Sequence, residues 1–549
     1  MVYWTTWQYD ESDRTCYYRL LHNLKKQRKS RMELTLLNWI LALSPVLAVL
    51  VMMVGLGQGG SRAGLVACLV AIIVGVLRFG AGFLLIGVAM GKSVLLAVDV
   101  LFIVWMALFF YNVTNEAGTV QLIGKSLPRL TSDRAMQSLL ISWIFVSLLQ
   151  GVGGFGVPVA VVAPLLVGLG YTATKSVIMA SLGHGWAVTF GSLGTSFAAL
   201  MAVTGLPESV LAHDAAVMLG FAGIISGALV AYVSTGWRGL LRSIPILLIV
   251  GTTMGVTQWW VATHGMWALG ATSGALAGAI VGVLLALSPL YRRQQEEMPE
   301  SDETDSSRSL PLAIAAYAIL LILAFSINLI TPLENLFDLV QIKIQFPAVS
   351  TSLGWEVPSE LGRKISIFGH PGAILFYAGI LSFLLYQRAG YYEAEAFKSI
   401  WQKVIKSAVK STISILALVA MASIMSHTGM TQIIARGISE AFSDKVFPLF
   451  APFIGTLGAF MTGSNTNSNV VFGALQQETA ALLGLRVPII LAGQTAGASL
   501  GSVIAPAKII VGCSTVGLSG EEGPVIRQML ILGLIPVIFI AIMTWLLVI

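Results

Sequence analysis

Eight residues constrain this chain more than any others. Thr462–Asn469 reads TGSNTNSN and sits inside an uncharged run from Val446 to Gln477. One helical crossing of a hydrocarbon layer about 30 Å thick takes roughly 20 apolar residues, and here a polar knot interrupts such a stretch. Backbone at membrane depth leaves the helix only where protein or a water-filled cavity satisfies its N–H and C=O groups. Gly463 supplies conformational freedom. Three Asn, two Thr and two Ser supply oxygens and amide donors at close quarters. That combination suits a small ion or a small anionic solute. Ser, Thr and Asn also hold membrane helices together, but seven such side chains in eight positions exceed what a helix seam needs.

The rest of the chain is consistent with such a setting. Of 549 residues, 56% are hydrophobic and 11% charged, and the apolar runs are continuous rather than alternating, which points to helices and not to a barrel. The fold class expected is an all-α polytopic membrane protein embedded in a lipid bilayer, here the cell membrane. The net charge of +6 is too small and too scattered for nucleic acid. Cys16, Cys68 and Cys513 lie far apart without metal-ligand spacing and read as structural thiols. The first thirty-odd residues are aromatic and charged, whereas a cleavable signal would put an apolar core there.

Taken in order, residues 1–33 form a tail with five basic residues in Lys25–Arg31. A first membrane half, 34–290, holds apolar segments near 34–55, 63–90 and 93–113, the long uncharged stretches Ala135–Thr174 and Ser176–Pro207, and crossings near 215–236, 243–263 and 265–290. Arg78 falls part-way through the second segment, which therefore reads as one helix plus an interfacial piece. Residues 291–308, YRRQQEEMPESDETDSSR, are too polar to order themselves by burial and form a linker. The second half, 309–549, has segments near 309–331, 371–387, 405–427, 446–477, 487–520 and 526–548, with 334–370 a mixed, partly interfacial connection. This amounts to about 11 to 14 membrane elements, some incomplete. Basic residues cluster at several loops and leave the orientation open.

The halves match at a constant offset. Gly151 pairs with Gly463, Gly185 with Gly497 and Gly205 with Gly517, each 312 residues apart. Each half has one interrupted hydrophobic stretch (QGVGGFGVPVAV; TGSNTNSNVVFG) and a second some thirty residues later (SLGHGWAVTFGSLGTS; GQTAGASLGSVIAPAK). Matched Gly/Pro-interrupted segments in two halves point to the midplane site of a secondary transporter built of pseudo-symmetric repeats with broken helices or re-entrant hairpins. Half-helix N-termini there aim positive dipole ends at an anion.

TGSNTNSNVVFGALQ resembles the second-half signature of the L-lactate permease family. QGVGGFGVPVAVVAPLLVGLG resembles its first-half signature, and APAKIIVGCSTVGL the segment that follows. The resemblance runs from about residue 34 to the end. It implies a cation-coupled permease, most simply an H+ symporter, for small 2-hydroxymonocarboxylates such as lactate and glycolate. The family pattern usually has Glu where this chain has Gln150, Asp at Asn465, Lys at Ser502 and a small residue at Lys508. Ser464-Asn465-Thr466 also resembles the SNT signature of divalent-anion/sodium symporters, which implies Na+ as the alternative coupling ion.

Single residues follow from these patterns. Gln150, Gly154, Ser464, Asn465, Thr466, Asn467, Gln494 and Lys508 are candidates for binding the anion. Lys508 is the only charge in Val487–Gly520; it reads as a counter-ion for a carboxylate or as a lysine snorkelling to an interface. His184, between two glycines, can take up and release a proton near neutrality and joins Ser464, Asn465, Thr466 and Asn467 as a coupling-ion candidate. Asp99 reads as interfacial, Trp259, Trp260 and Trp267 as interface anchors, and Gly153-Gly154 also suits close helix packing. No phosphate-binding loop, HExxH or activated serine appears, so neither an enzyme nor an ATP-driven pump is expected, and no cofactor. Beside the permease stand a Na+-coupled symporter of another carboxylate or sulfonate, and a channel or receptor with the same polar cavity.

Overall fold

The computed structural model describes residues 33–549 except 57, 155, 289–290, 292–308 and 520. The basic tail, Cys16 and all but one residue of the linker therefore lie outside the described residues. In chain order the first helices are α1 (Leu36–Leu50), α2 (Gly60–Leu77), α3 (Phe83–Glu116), α4 (Thr119–Ser126), α5 (Arg134–Val152, through a π-helical turn) and α6 (Val157–Gly168). Then come α7 (Ala173–Gly183), α8 (Thr195–Thr204), α9 (Glu208–Val261), α10 (Gly270–Ala286), α11 (Leu310–Leu329) and α12 (Thr331–Phe337). The remainder are α13 (Pro371–Arg388), α14 (Ala396–His427), α15 (Met430–Ala441), α16 (Phe447–Thr462), α17 (Asn465–Leu482), α18 (Val487–Val503), α19 (Pro506–Thr515) and α20 (Gly523–Val548).

Among the described residues nine helical stretches are long and apolar enough to cross a membrane, and α6, α8 and α16 are shorter apolar pieces. One of the nine, Glu208–Ala286, runs 79 residues. At about 1.5 Å per residue that is far longer than one bilayer. It breaks at Gly236 (φ 72°, ψ −164°) and again at His264-Gly265, giving three passes. The apolar segment 63–90 also divides: α2 ends at Arg78 and α3 starts afresh at Phe83, running on as one 34-residue helix through the segment expected at 93–113. Proline at the first or second position starts α6, α16, α18, α19 and α20, where its missing N–H costs nothing.

The offset of 312 residues relates many of the helices. Shifted by it, α3 falls on 395–428 beside α14, α5 on 446–464 beside α16, α6 on 469–480 inside α17, and α8 on 507–516 beside α19. The left-handed glycines Gly205 (φ 67°) and Gly517 (φ 79°), each closing one of the short helices, correspond in the same way. Among the described residues the second part of α9 and α10 have no counterpart in the second half, and the connection before α13 has none in the first.

The repeats are inverted. Glu116 at the C-terminal end of α3 pairs with Lys403 and accepts from Ser399 Oγ near the N-terminal end of α14. Midway, Trp105 Nε1 donates to Thr412 Oγ1 at 3.0 Å. These equivalent helices are thus antiparallel, so one repeat is upside down relative to the other.

The connection 338–370 is a β-ribbon. Strands β1 (Gln341–Ile342), β2 (Gln345–Phe346), β3 (Val349–Ser350), β4 (Glu356–Val357), β5 (Glu360–Leu361) and β6 (Ile365–Ser366) pair antiparallel as β1–β6, β2–β5 and β3–β4. It lies over the start of α3: Ser352 N donates to Gly80 O at 2.9 Å, and Phe346 and Ile365 pack on Leu95. Asp99 is not an interfacial charge left to solvent. It is buried, and its carboxylate takes Arg363 Nε at 2.5 Å and meets His370 Nε2 at 3.1 Å. Trp267 is likewise no interface anchor, because its ring packs on Phe197 and over Gly194 in the interior. Trp260 is 42% exposed, as an anchor should be.

Candidate functional site: two broken segments meeting at the pseudo-twofold axis

Each repeat places two interruptions near its centre. In the first half, α5 turns into α6 through Gly153–Gly156, and α7 gives way to a 3-10 turn and loop, 184–194, before α8. In the second half, Gly463 (φ 67°) and Ser464 separate α16 from α17, and Ile504-Ala505 separate α18 from α19. Glycine allows the helices to pack this tightly: a Cβ on Gly183 would lie 1.5 Å from Ser142 O, and one on Gly497 2.0 Å from Pro452 O.

The interruptions meet across the axis. Thr189 in the first-half loop is bonded to three residues of the other repeat: its Oγ1 donates to Thr495 O at 3.1 Å, its N–H donates to Ser499 Oγ at 3.2 Å, and it accepts from Asn465 Nδ2 at 3.0 Å. Ser499 Oγ donates to Gly185 O at 2.7 Å, and Ser196 Oγ lies 3.0 Å from Thr466 Oγ1. Asn469 Nδ2 donates to Ser196 O and to Thr495 Oγ1, both at 2.9 Å. Behind this layer Gln494 accepts from Gln476 Nε2 at 2.5 Å and donates to Ser468 Oγ at 3.2 Å.

Of the candidates named from sequence, Asn465, Thr466 and Gln494 therefore join one network. Ser464 caps α17, accepting from Asn467 N at 3.2 Å, while the Asn467 side chain turns to Ser414 on α14. Gln150 reaches the same loop from the other side: its carbonyl accepts Ser192 N at 2.7 Å, and Gly154 lies against Ser192. Lys508, partly buried in the first turn of α19, reaches back across the break and donates to Ser502 Oγ at 3.2 Å. His184 ends α7 with Nδ1 2.8 Å from Ala180 O. Thr189, Thr495, Ser499 and Ser196 were missed; the signal available was their place in the matched stretches, since isolated hydroxyls look alike in sequence.

Four buried polar atoms in this region have no hydrogen-bond partner among the described residues: Gln150 Oε1, His184 Nε2, Asn465 Oδ1 and Gln476 Oε1. Leaving a buried acceptor unmet costs about 1–3 kcal/mol, so they mark places for a solute, an ion or water. Among the described residues no three His, Cys, Asp or Glu cluster in a way that would hold a metal ion.

Inverted repeats with paired broken helices meeting at the centre of a membrane bundle are the architecture of a membrane transporter. The chain belongs to the L-lactate permease family, whose description matches residues 38–549. It is similar to the glycolate permease GlcA of Escherichia coli K12, 27% identical over 526 residues that cover 89% of this chain and 92% of the relative. It is also similar to the L-lactate permease of Bacillus subtilis 168, 26% identical over 531 residues with 89% and 92% covered. A solved structure, the Alcanivorax borkumensis YdaH transporter, aligns with a TM-score of 0.43 and 14% identity over 81% of this chain and 84% of that one. The protein is a multi-pass cell-membrane permease, not an enzyme.

Proposed function

We propose that this permease takes up small organic monoanions of the 2-hydroxymonocarboxylate type, lactate or glycolate, together with a proton. The observation that carries the reading is the junction of Thr189 with Asn465, where one broken segment from each inverted repeat meets beside unpartnered Gln150 Oε1 and Asn465 Oδ1. Rocking one repeat against the other opens and closes such a junction to either side. The names of the two relatives, a glycolate permease and an L-lactate permease, support the substrate class. His184 is the proton carrier in this reading, because its buried Nε2 has no partner and is open to accept a proton.

One observation favours a second coupling ion. Gln150 and Asn465 are amides that cannot titrate, and their free carbonyl oxygens suit a hard cation such as Na+. Labelled L-lactate and glycolate uptake into proteoliposomes decides. A proton symporter accumulates solute when the outside is acidic and stops with a protonophore. A sodium symporter follows external Na+ at fixed pH. Flux that never exceeds equilibrium means a channel, and binding without flux means a receptor; either result removes the symport reading.

A further inference from the structure

We propose that the carboxylate of the transported anion docks between the Lys508 ammonium and the N-terminus of α6, at the first hairpin tip rather than the Asn-rich second one. This assignment rests on the monocarboxylate reading above.

The two tips are built alike and finished differently. Helix α8 crosses α17, with Gly473 against Leu200; helix α19 makes the equivalent crossing over α6. There a Cβ on Gly156 would lie 3.9 Å from Val511 Cγ1, and one on Gly512 2.6 Å from Val159 Cγ1. Lys508 shares the α19 stripe of Val511 and Gly512, one turn nearer the N-terminus. By the 312-residue offset Lys508 corresponds to Ser196, which bonds to Thr466 and Asn469, the equivalents of Gly154 and Val157.

At the second tip the corresponding place is occupied by Ser196, 312 residues earlier, and it is closed by internal bonds to Thr466 and Asn469. There Ser464 also caps α17. At the first tip no side chain among the described residues caps α6, which follows left-handed Gly154 (φ 56°) and Gly156 (φ 87°). An uncapped N-terminus presents amide donors and the positive end of the helix dipole, which favour an anion.

Two further observations point to a ligand there. The Lys508 ammonium donates to neutral Ser502 Oγ, and no carboxylate among the described residues pairs with it. An uncompensated charge at membrane depth is costly, and a substrate carboxylate neutralises it. His184 is 1% exposed with Nε2 unpartnered, and it adjoins the same corner. The connection runs from Gly185 O to Ser499 Oγ, from Ser499 O to Ser502 Oγ, and from Ser502 Oγ to Lys508 Nζ.

The test is equilibrium binding of L-lactate and of neutral lactamide to the full-length protein in nanodiscs, by calorimetry. Wild type should prefer lactate. Lys508→Met should weaken lactate roughly ten- to a hundredfold while leaving lactamide unchanged, and Lys508→Arg should recover most of the loss. Lys508→Gln carries the same expectation if the methionine variant aggregates. Lactate binding and preference unchanged in the neutral variants would overturn the docking site while the substrate reading stands. Wild type binding neither lactate nor glycolate would overturn the substrate reading, and this assignment with it.

Discussion

The side-chain oxygens of Thr189 and Thr495 lie 3.2 Å apart although 306 residues separate them in the chain. Nearly equivalent residues of two inverted repeats can touch only close to the axis that relates them. The Thr189 pairings therefore lie near that axis and form part of the polar centre.

Thr189→Val keeps the shape of the side chain and removes its hydroxyl. Asn465 Nδ2 then loses the acceptor it has in Thr189, at a cost of about 1–3 kcal/mol. We expect uptake of labelled lactate to fall at least tenfold while the protein still purifies as a single species; uptake within twofold of wild type would show that the contact is dispensable.

The Asp99 cluster concerns stability rather than transport chemistry. Asp99→Asn strips the charge that holds Arg363 and His370 and should cost about 3 kcal/mol. Limited proteolysis should then cut within the β-ribbon, and Arg363→Leu added to it should restore much of the resistance. A ribbon as protease-resistant as in wild type would rule out the clamp.

Gly497→Ala and Gly205→Ala separate two uses of glycine. The first would drive a Cβ to 2.0 Å from Pro452 O and should cost about 3 kcal/mol or more, seen as a large fall in thermal unfolding temperature. The second meets no atom within 4 Å and pays only for its left-handed backbone (φ 67°), about 1–2 kcal/mol. Equal losses in the two variants would contradict the close packing of α16 and α18.

Coupling is tested at His184. With proton coupling, uptake rises as external pH falls, ignores Na+, and disappears in His184→Gln. With sodium coupling, His184→Gln is tolerated and uptake tracks external Na+ through the oxygens around Asn465. Measuring initial rates over a grid of pH and Na+ distinguishes the two.

Much of this architecture is legible without coordinates, because a bilayer imposes its own length and satisfaction rules on the chain. Apolar runs of crossing length, the prolines that begin α16, α18 and α19, and the glycines 312 residues apart announce helices, breaks and a repeat. What sequence could not decide was which polar atoms meet. Asp99 reads as a stray interfacial charge until the ribbon folds Arg363 and His370 back over α3 from more than 260 residues away. Asn467 sits two residues from Asn465, yet one turns to Ser414 and the other to Thr189, since a helix sends them to different neighbours. Thr189, Thr495 and Ser499 are ordinary hydroxyls in apolar stretches, and only the inversion of one repeat against the other brings them to a common axis. Local composition sets whether a segment can live in a membrane. The partner of a buried polar atom is set by long-range packing, which no window of sequence contains.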